Sequence, residues 1–226
     1  MPVIINDRPP SPVTPEQIGQ LRRIPPATIG HMLDFGFMDV GLRPVGRSRF
    51  TLCGPVVTVR TTALDSAVVH HAIDIAEPGD VLVIDRNGDR KHAAWGELTS
   101  LAATERGLAG TIVDGAATDV PEIEDLEYLV FCRGISPITS RSIGESGEIN
   151  TVVQCGGVSV SPGDIVLADD NGVMVIPPDQ VAAVIDHCGP RVEYEEMIRK
   201  RLRGGERLGD ITGASTRLGK TIESQR

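Results

Sequence analysis

An α/β fold is what the sequence predicts, and three observations carry it. Apolar runs of strand length at 80–85, 111–113 and 128–132 alternate with stretches of helical periodicity. The first two runs each break into a polar turn from which a helix starts. A length of 226 residues, with 40% hydrophobic side chains, 25 Gly and 16 Pro, suits one well-covered core joined by many turns. The chain therefore reads as one domain over 1–226, with an N-terminal arm at 1–13 and a C-terminal tail at 204–226.

Taken in order, the arm is rich in Pro and polar groups and is expected to pack on the body or on a neighbour. Thr14-Pro15-Glu16-Gln17 reads as an N-cap, a Pro at the first helical position and early acid, so a helix begins there. A second helix is expected from 26 to 35, before Gly36. Residues 52–62 form a strand, because Val57-Thr58-Val59-Arg60 alternates apolar and polar side chains. A helix over 65–76 would present Ala67, Val68, His71, Ala72 and Ile75 on one face. Pro78-Gly79-Asp80 turns the chain into the 80–85 strand, which breaks at Asn87-Gly88. The next helix starts at Glu97, carries Leu98, Leu101 and Ala102 at 3–4 spacing, and is stopped by Gly107.

Strand 111–113 runs into Asp114-Gly115, and a short helix opens near Asp119. After strand 128–132 the chain turns at Gly134-Ile135-Ser136-Pro137, with Arg133 and Arg141 on either side. Residues 151–154 and 158–160 should pair across Cys155-Gly156-Gly157, and 165–169 with 173–177 across Asp170-Asn171-Gly172, a strong hairpin signal. Asp169 and Asp170 are read as turn residues that accept backbone N–H bonds. The last long helix, from 178 to about 202, ends in Arg199-Lys200-Arg201, which suits the negative end of its dipole. Beyond 204 the tail is polar, has no core pattern, and is expected to wrap a neighbour or stay unstructured.

Composition excludes several function classes. Aromatics make up 3% of the chain and the formal net charge is -9, so neither base stacking nor a general phosphate-binding surface is expected. No nucleic-acid partner follows, although local arginines would still admit a small acidic substrate. Cys53, Cys132, Cys155 and Cys188 lack CxxC spacing and read as small buried residues in a reducing compartment. The longest apolar runs are strand-sized, so no membrane span is expected and a cytoplasmic location is. His70 and His71 invite a metal hypothesis, but neighbours on a helix point about 100° apart and do not readily share an ion.

Chemistry concentrates at two strand-to-helix turns, Trp95-Gly96-Glu97-Leu98 and Thr118-Asp119-Val120-Pro121-Glu122. A helix N-terminus exposes unpaired N–H groups and suits an anion such as a substrate carboxylate. Glu97 and Asp119 beside such a site could hold a hard divalent cation, or simply cap their helices. There is no nucleophile motif, phosphate-binding loop, Cys/His zinc cluster or GxGxxG.

The stretch WGELTSLAATERGLAGTIVDGAATDVPEI resembles the core of the RraA-like family, and the likeness extends through Pro78-Gly79-Asp80-Val81 and the 161–173 segment. That family includes class II pyruvate aldolases and the regulator of ribonuclease E, as well as members once labelled methyltransferases. The resemblance implies an α-β-β-α sandwich around a barrel-like β core, assembled as trimers or hexamers with the active site between subunits. It also implies Mg²⁺ or Mn²⁺ on Asp119, with Glu97 holding the metal-bound water that shuttles the proton. Gly96 and the backbone N–H groups of Leu98, Thr99, Ser100 and Leu101 would cradle the substrate carboxylate. Arg141 sits where members place basic residues, and Glu196 or Glu193 would reach a neighbouring subunit's site.

The aldolase signature is G-x20-R-D-x2-E/D, and here Thr118 stands where it has Arg, before Asp119 and Glu122. The Arg in that signature pairs with the substrate's carboxylate and keto oxygens, and losing one such donor typically costs about 10²–10³ in rate. Three explanations stay open: another arginine (Arg86, Arg90 or Arg141) substitutes, the substrate has a smaller or neutral group there, or the protein acts by binding alone. The N-terminal arm, the WGEL sequence and the charged C-terminal helix resemble the aldolase branch. An enzyme acting on a small carboxylate, a 2-oxo or hydroxy acid, is therefore the leading expectation.

Overall fold

The structure, a computed structural model, describes residues 2–46, 50–62 and 64–224. In chain order it begins with β1 (Val3–Ile5), α1 (Pro15–Leu21), α2 (Pro26–Ile29), β2 (Arg43–Pro44), β3 (Leu52–Arg60) and α3 (Ala67–Ile75). There follow β4 (Val81–Asp85), β5 (Ala93–Trp95), α4 (Glu97–Glu105), β6 (Gly110–Ala117), α5 (Val120–Asp125) and β7 (Val130–Ile135). The last part holds β8 (Gly147–Ile149), β9 (Val153–Cys155), β10 (Val158–Val160), β11 (Ile165–Asp169) and β12 (Gly172–Ile176). It closes with α6 (Val181–Arg203), α7 (Leu208–Ile211) and α8 (Ala214–Ser224).

One ten-stranded sheet organises the chain, with the path β1-β8-β3-β4-β6-β7-β2. Strands β3, β4, β6 and β7 run parallel, each step crossed by a helix, as the alternation of apolar runs and helical stretches predicts. β3 is long enough to serve twice. Its residues 56–60 pair with parallel β4, and residues 52–55 pair with antiparallel β11. That double pairing folds the β11–β12 hairpin back over the parallel strands.

Side-chain alternation then decides the layers. Leu82 and Ile84 of β4 point to one face, where Val69, Ile73, Ala103 and Ile123 from α3, α4 and α5 cover them. Val81 and Val83 point to the other face and meet Val166, Ala168, Val173 and Val175 of the hairpin. The hairpin's far side, Ile165, Leu167, Met174 and Ile176, is covered by Leu21, Ile29, Val181 and Val184 of α1, α2 and α6. Helices, sheet, sheet and helices follow in that order, the expected α-β-β-α sandwich. Each such fully buried aliphatic side chain contributes about 1.5–3 kcal/mol relative to exposure.

Several local expectations hold in detail. Thr14 caps α1 in a reciprocal box with Gln17, at 3.2 and 2.9 Å. Asp169 accepts the Asn171 N–H at 2.8 Å inside the hairpin turn. All of the cysteines are free and buried, and burial raises their thiol pKa values. Among the described residues no helix is long and apolar enough to cross a membrane.

Other expectations are corrected. α2 ends at Ile29 rather than 35, with only hydrogen-bonded turns as far as Leu33. In α3 the buried face is Val68, Val69, Ala72 and Ile73, so His71 and Ile75 turn outward. In α4 the inward residues are Ser100 and Ala103, while Leu98 is 76% exposed. The periodicity marks an apolar stripe on α4, but small residues pack against the sheet and the stripe faces away. The arm packs on the body, one of the two expected outcomes, and part of it is strand β1, parallel to β8, with Arg8 pinned to Glu77 and Asp80. The tail is helical as α7 and α8, with Gly205 and Gly213 in positive-φ conformation at the breaks before each; its last two residues lie outside the described set.

Candidate functional site

In a parallel sheet, ligands bind beyond the carboxyl ends of the strands. Here those ends open on one cleft of about 240 Å³. Ser66 and His70 follow β3, Gly96 and Glu97 follow β5, Thr118 and Asp119 follow β6, and Thr139, Ser140 and Ser142 follow β7. The two turns singled out from the sequence therefore converge in space.

Asp119 is the pivot of the cleft. It occupies the N-cap position of α5 with φ 55° and ψ 51°, a left-handed conformation that Asp tolerates better than most residues. Such backbone costs about 1–3 kcal/mol and persists where the surroundings enforce it. Its carboxylate does not cap its own helix. Instead Oδ2 accepts the Glu97 N–H at 3.0 Å, from the first turn of α4, and Oδ1 accepts the Thr118 hydroxyl at 3.1 Å. Gly96 makes this approach possible: a Cβ there would collide with Asp119 Oδ2 and lie 2.8 Å from Thr118 Cγ2. Its φ of -161° is ordinary extended backbone, so glycine is needed for space alone.

The start of α4 is held rigidly. Thr99 Oγ1 accepts the Gly96 N–H and donates to Gly96 O, both at 2.9 Å. The buried Trp95 donates to Ser100 Oγ at 2.8 Å and stacks on Tyr128 with ring centroids 6.0 Å apart. The Thr118 N–H donates to Trp95 O at 2.9 Å, tying the two turns together. With Ser100 N–H bonded to Gly96 O at 3.0 Å, and Leu101 next in the helical ladder, the Leu98 and Thr99 N–H groups are the first-turn donors left for an anion.

The remaining candidates divide clearly. Arg86 is fully buried and committed to Thr62 O at 3.0 Å, His92 O at 3.1 Å and Asp89 at 3.3 Å, so it is sealed away from the cleft. Arg90 does not line the cleft; its charge helps to hold the Asp39 carboxyl low, after the Gly41 N–H and Arg133. Arg133 bridges Asp114 at 2.6 Å and Asp39. Arg141 lies between two cleft residues, with an exposed side chain that has no partner among the described residues. Glu193 and Glu196 lie on α6, in the outer helical layer across both sheets, where Glu196 pairs with Arg199 at 3.3 Å. Neither lines the same chain's cleft.

Sequence reasoning passed over Ser66, His70, Thr139, Ser140 and Ser142 as cleft residues. Their usable signal was position: each follows the carboxyl end of a parallel strand. It also missed Asp65, whose buried carboxylate accepts N–H groups from Ala67, Ile143, Gly144, Glu145 and Ser146 at 2.8–3.1 Å. This clamp fixes the segment that carries Ser140 to Ser142. Burial alone would raise the Asp65 pKa, but the Gly144, Ala67, Glu145 and Ser146 N–H groups hold it down to about 2. A folded-state pKa below the unfolded value means stability that is complete above pH ~4 and lost as pH falls through about 2. Urea unfolding of Asp65→Asn at pH 6 should show a deficit of about 2 kcal/mol that narrows at pH 2.5.

Among the described residues no group of three His, Cys, Asp or Glu stands ready to hold a metal. The donor set therefore does not fit an all-protein cage such as a structural zinc site. It does fit Mg²⁺ or Mn²⁺, which take one or two carboxylates and fill the rest with water and substrate oxygens. Asp119 and Glu97 supply those two exposed carboxylates. A larger cavity of about 500 Å³ lies between Val45, Phe50 and Tyr128, away from both strand-to-helix turns, and its described charged residues are Glu124, Asp125 and Glu127.

Comparison with known proteins agrees with this architecture. Residues 28–175 match the RraA-like family (Aldolase/RraA). A protein of Halalkalibacterium halodurans named "Putative 4-hydroxy-4-methyl-2-oxoglutarate aldolase" is 37% identical over 181 residues, 79% of this chain and 85% of its own. The solved structure of Streptomyces coelicolor RraAS2, described as an unusual member of the RNase ES inhibitor RraA family, superposes with a TM-score of 0.73 at 26% identity, covering 84% of this chain and 99% of its own. The RNA-processing inhibitor RraA from Thermus thermophilis has a TM-score of 0.58 at 28% identity, over 62% of this chain and 84% of its own. With more than half of its length matched, the chain belongs to the RraA-like family.

Proposed function

We propose that this protein is a divalent-metal-dependent C–C lyase of the class II pyruvate aldolase type, with oxaloacetate decarboxylation as a side activity. The observation that carries the reading is the Asp119 carboxylate, held in left-handed backbone at the N-terminus of α4 and exposed to the cleft. The resemblance to a named aldolase supports the same reading. Asp119, with Glu97 beside it, would hold Mg²⁺ or Mn²⁺, which when bound supplies Lewis acidity towards a 2-oxo group. The Leu98 and Thr99 N–H groups, at the positive end of α4, orient the substrate carboxylate. Glu97 moves the proton lost from the substrate hydroxyl, and Thr118 contributes a neutral hydroxyl where a cation would otherwise stand. Both reactions pass through the pyruvate enolate, so a site that stabilises one serves the other.

In this reading the protein works in the cytoplasm as a trimer or hexamer. Glu196, or Glu193, would enter the cleft of a neighbouring subunit, since neither lines its own. A monomeric mass in light scattering would remove the shared-site part of the proposal.

A second reading is a regulatory binding protein with a degenerate site, favoured by Thr118 and by the likeness to the RraA inhibitors. Thr118→Arg separates the two, assayed by pyruvate release from oxaloacetate and from 4-hydroxy-2-oxo acids. The lyase reading expects turnover by the wild type that rises about 10²–10³-fold on oxaloacetate when the charged donor is added. Equal wild-type and variant rates would mean that another cation already acts, with Arg141→Ala as the next variant. No turnover by either protein would leave the regulatory reading standing.

A further inference from the structure

The last helices differ from the body in charge and in burial. Residues 199–226 hold eight Arg and Lys against three Asp and Glu, whereas residues 1–198 hold 14 against 28. A basic tail therefore follows a strongly acidic body. After Cys188 no described residue is buried, although Leu202, Leu208 and Leu218 lie there. The tail is nevertheless built, since Arg201 bridges Glu206 at 2.6 Å across the turn between α6 and α7. In α8, Ala214 and Leu218 are four apart and share a face, with Arg217 at its edge. Leu218 is 64% exposed, and the Arg217 side chain has no partner among the described residues.

A surface of complementary character stands open on the other helical layer. Leu98, Leu101, Ala102 and Glu105 lie at i, i+3, i+4 and i+7 on α4, so they form one exposed stripe. Beside it, Ile73 and Asp74 of α3 form a groove of about 210 Å³ with Leu98 and Ala102. The Asp74 and Glu105 carboxylates have no partner among the described residues, and the cation beside them, Arg106, donates to Asp74 O. α6, from which the tail leaves, belongs to the helical layer across both sheets from α3 and α4. With Leu218 exposed, the chain's own tail leaves this groove open.

We propose that α8 of one copy docks in the α3–α4 groove of a second copy. Leu218 enters between Ile73 and Leu98, and Arg217 faces Glu105 and Asp74 at the rim. Apolar contact supplies the affinity, and opposite charge sets the orientation. The two surfaces differ, so the contact is heterologous and is satisfied in every copy only when it closes into a ring. Leu98 and Thr99 line both the groove and the cleft, so the docked helix walls one side of the cleft. The proposal is independent of the lyase reading.

The test uses the full chain and follows its assembly by light scattering over a dilution series. Leu218→Asp should raise the dissociation constant about 10- to 100-fold. Arg217→Glu and Glu105→Arg should each raise it about 3- to 10-fold, and the two together should recover most of that loss. Every cysteine of the chain is buried, so Leu218→Cys with Glu105→Cys adds two accessible thiols for a bismaleimide. The double variant should give a band at twice the chain mass on a denaturing gel, and neither single variant should. A monomeric wild type, or a Leu218→Asp variant that assembles as tightly as the wild type, overturns the proposal. So does a charge swap no better than Arg217→Glu alone, or the absence of the cross-link. A wild-type mass that falls on nuclease treatment assigns the tail to a nucleic acid and overturns it as well.

Discussion

Asp119→Asn is expected to reduce pyruvate release by at least about 10³-fold, because in the proposed lyase the metal would supply several kcal/mol of charge stabilisation and Asp119 would be its principal anchor. Asparagine is the informative replacement. It tolerates left-handed backbone at φ 55° and keeps an oxygen to accept the Glu97 N–H, so the fold should survive while the charge is lost. Asp119→Ala should lose activity as fully but add about 1–2 kcal/mol of backbone strain. A ligand that binds only the native state at 100 times its Kd adds about 2.7 kcal/mol. For a chain of this size that is a rise in Tm of roughly 5–11 °C with Mg²⁺ or Mn²⁺ in the wild type, and none in Asp119→Asn. A wild type with no metal-dependent rise in Tm would contradict the account.

Gly96→Ala should be nearly as damaging without removing any chemical group. The added methyl would collide with Asp119 Oδ2 and press on Thr118 Cγ2, so the carboxylate must leave the Glu97 N–H. A misplacement of about 1 Å in a catalytic group can cost about 10²-fold. The extended φ of -161° accepts alanine, so Tm should fall little. Loss of activity together with a comparably large loss of stability would point to a structural rather than a positioning role.

How much of this was legible in the sequence depends on the range of the interaction. The α1 cap at Thr14, the stop at Gly107 (φ 74°) and the β11–β12 hairpin are set by residues within a few positions of one another, and each was readable. The convergence of Gly96 with Asp119 was readable as two similar strand-to-helix turns, but the carboxylate's hold on α4 rather than α5 was not. That choice depends on sheet register, which puts Trp95 beside Ala117. The faces of α3 and α4 were misread because periodicity reports an apolar stripe without saying which way it points. Ser100 and Ala103 are small enough for α4 to lie close on the sheet, which turns Leu98 outward. Asp65, which clamps backbone some 80 residues away, and β1, which pairs with β8 at the far end of the chain, leave no local trace.

The most direct measurement is the rate of pyruvate formation from oxaloacetate by the wild type and by Asp119→Asn, each with and without Mg²⁺, above the metal's own background. The account predicts turnover by the wild type that requires the metal and vanishes in the variant. Turnover that persists in Asp119→Asn, or that is indifferent to metal in the wild type, would contradict the claim that Asp119 at the start of α4 anchors the chemistry.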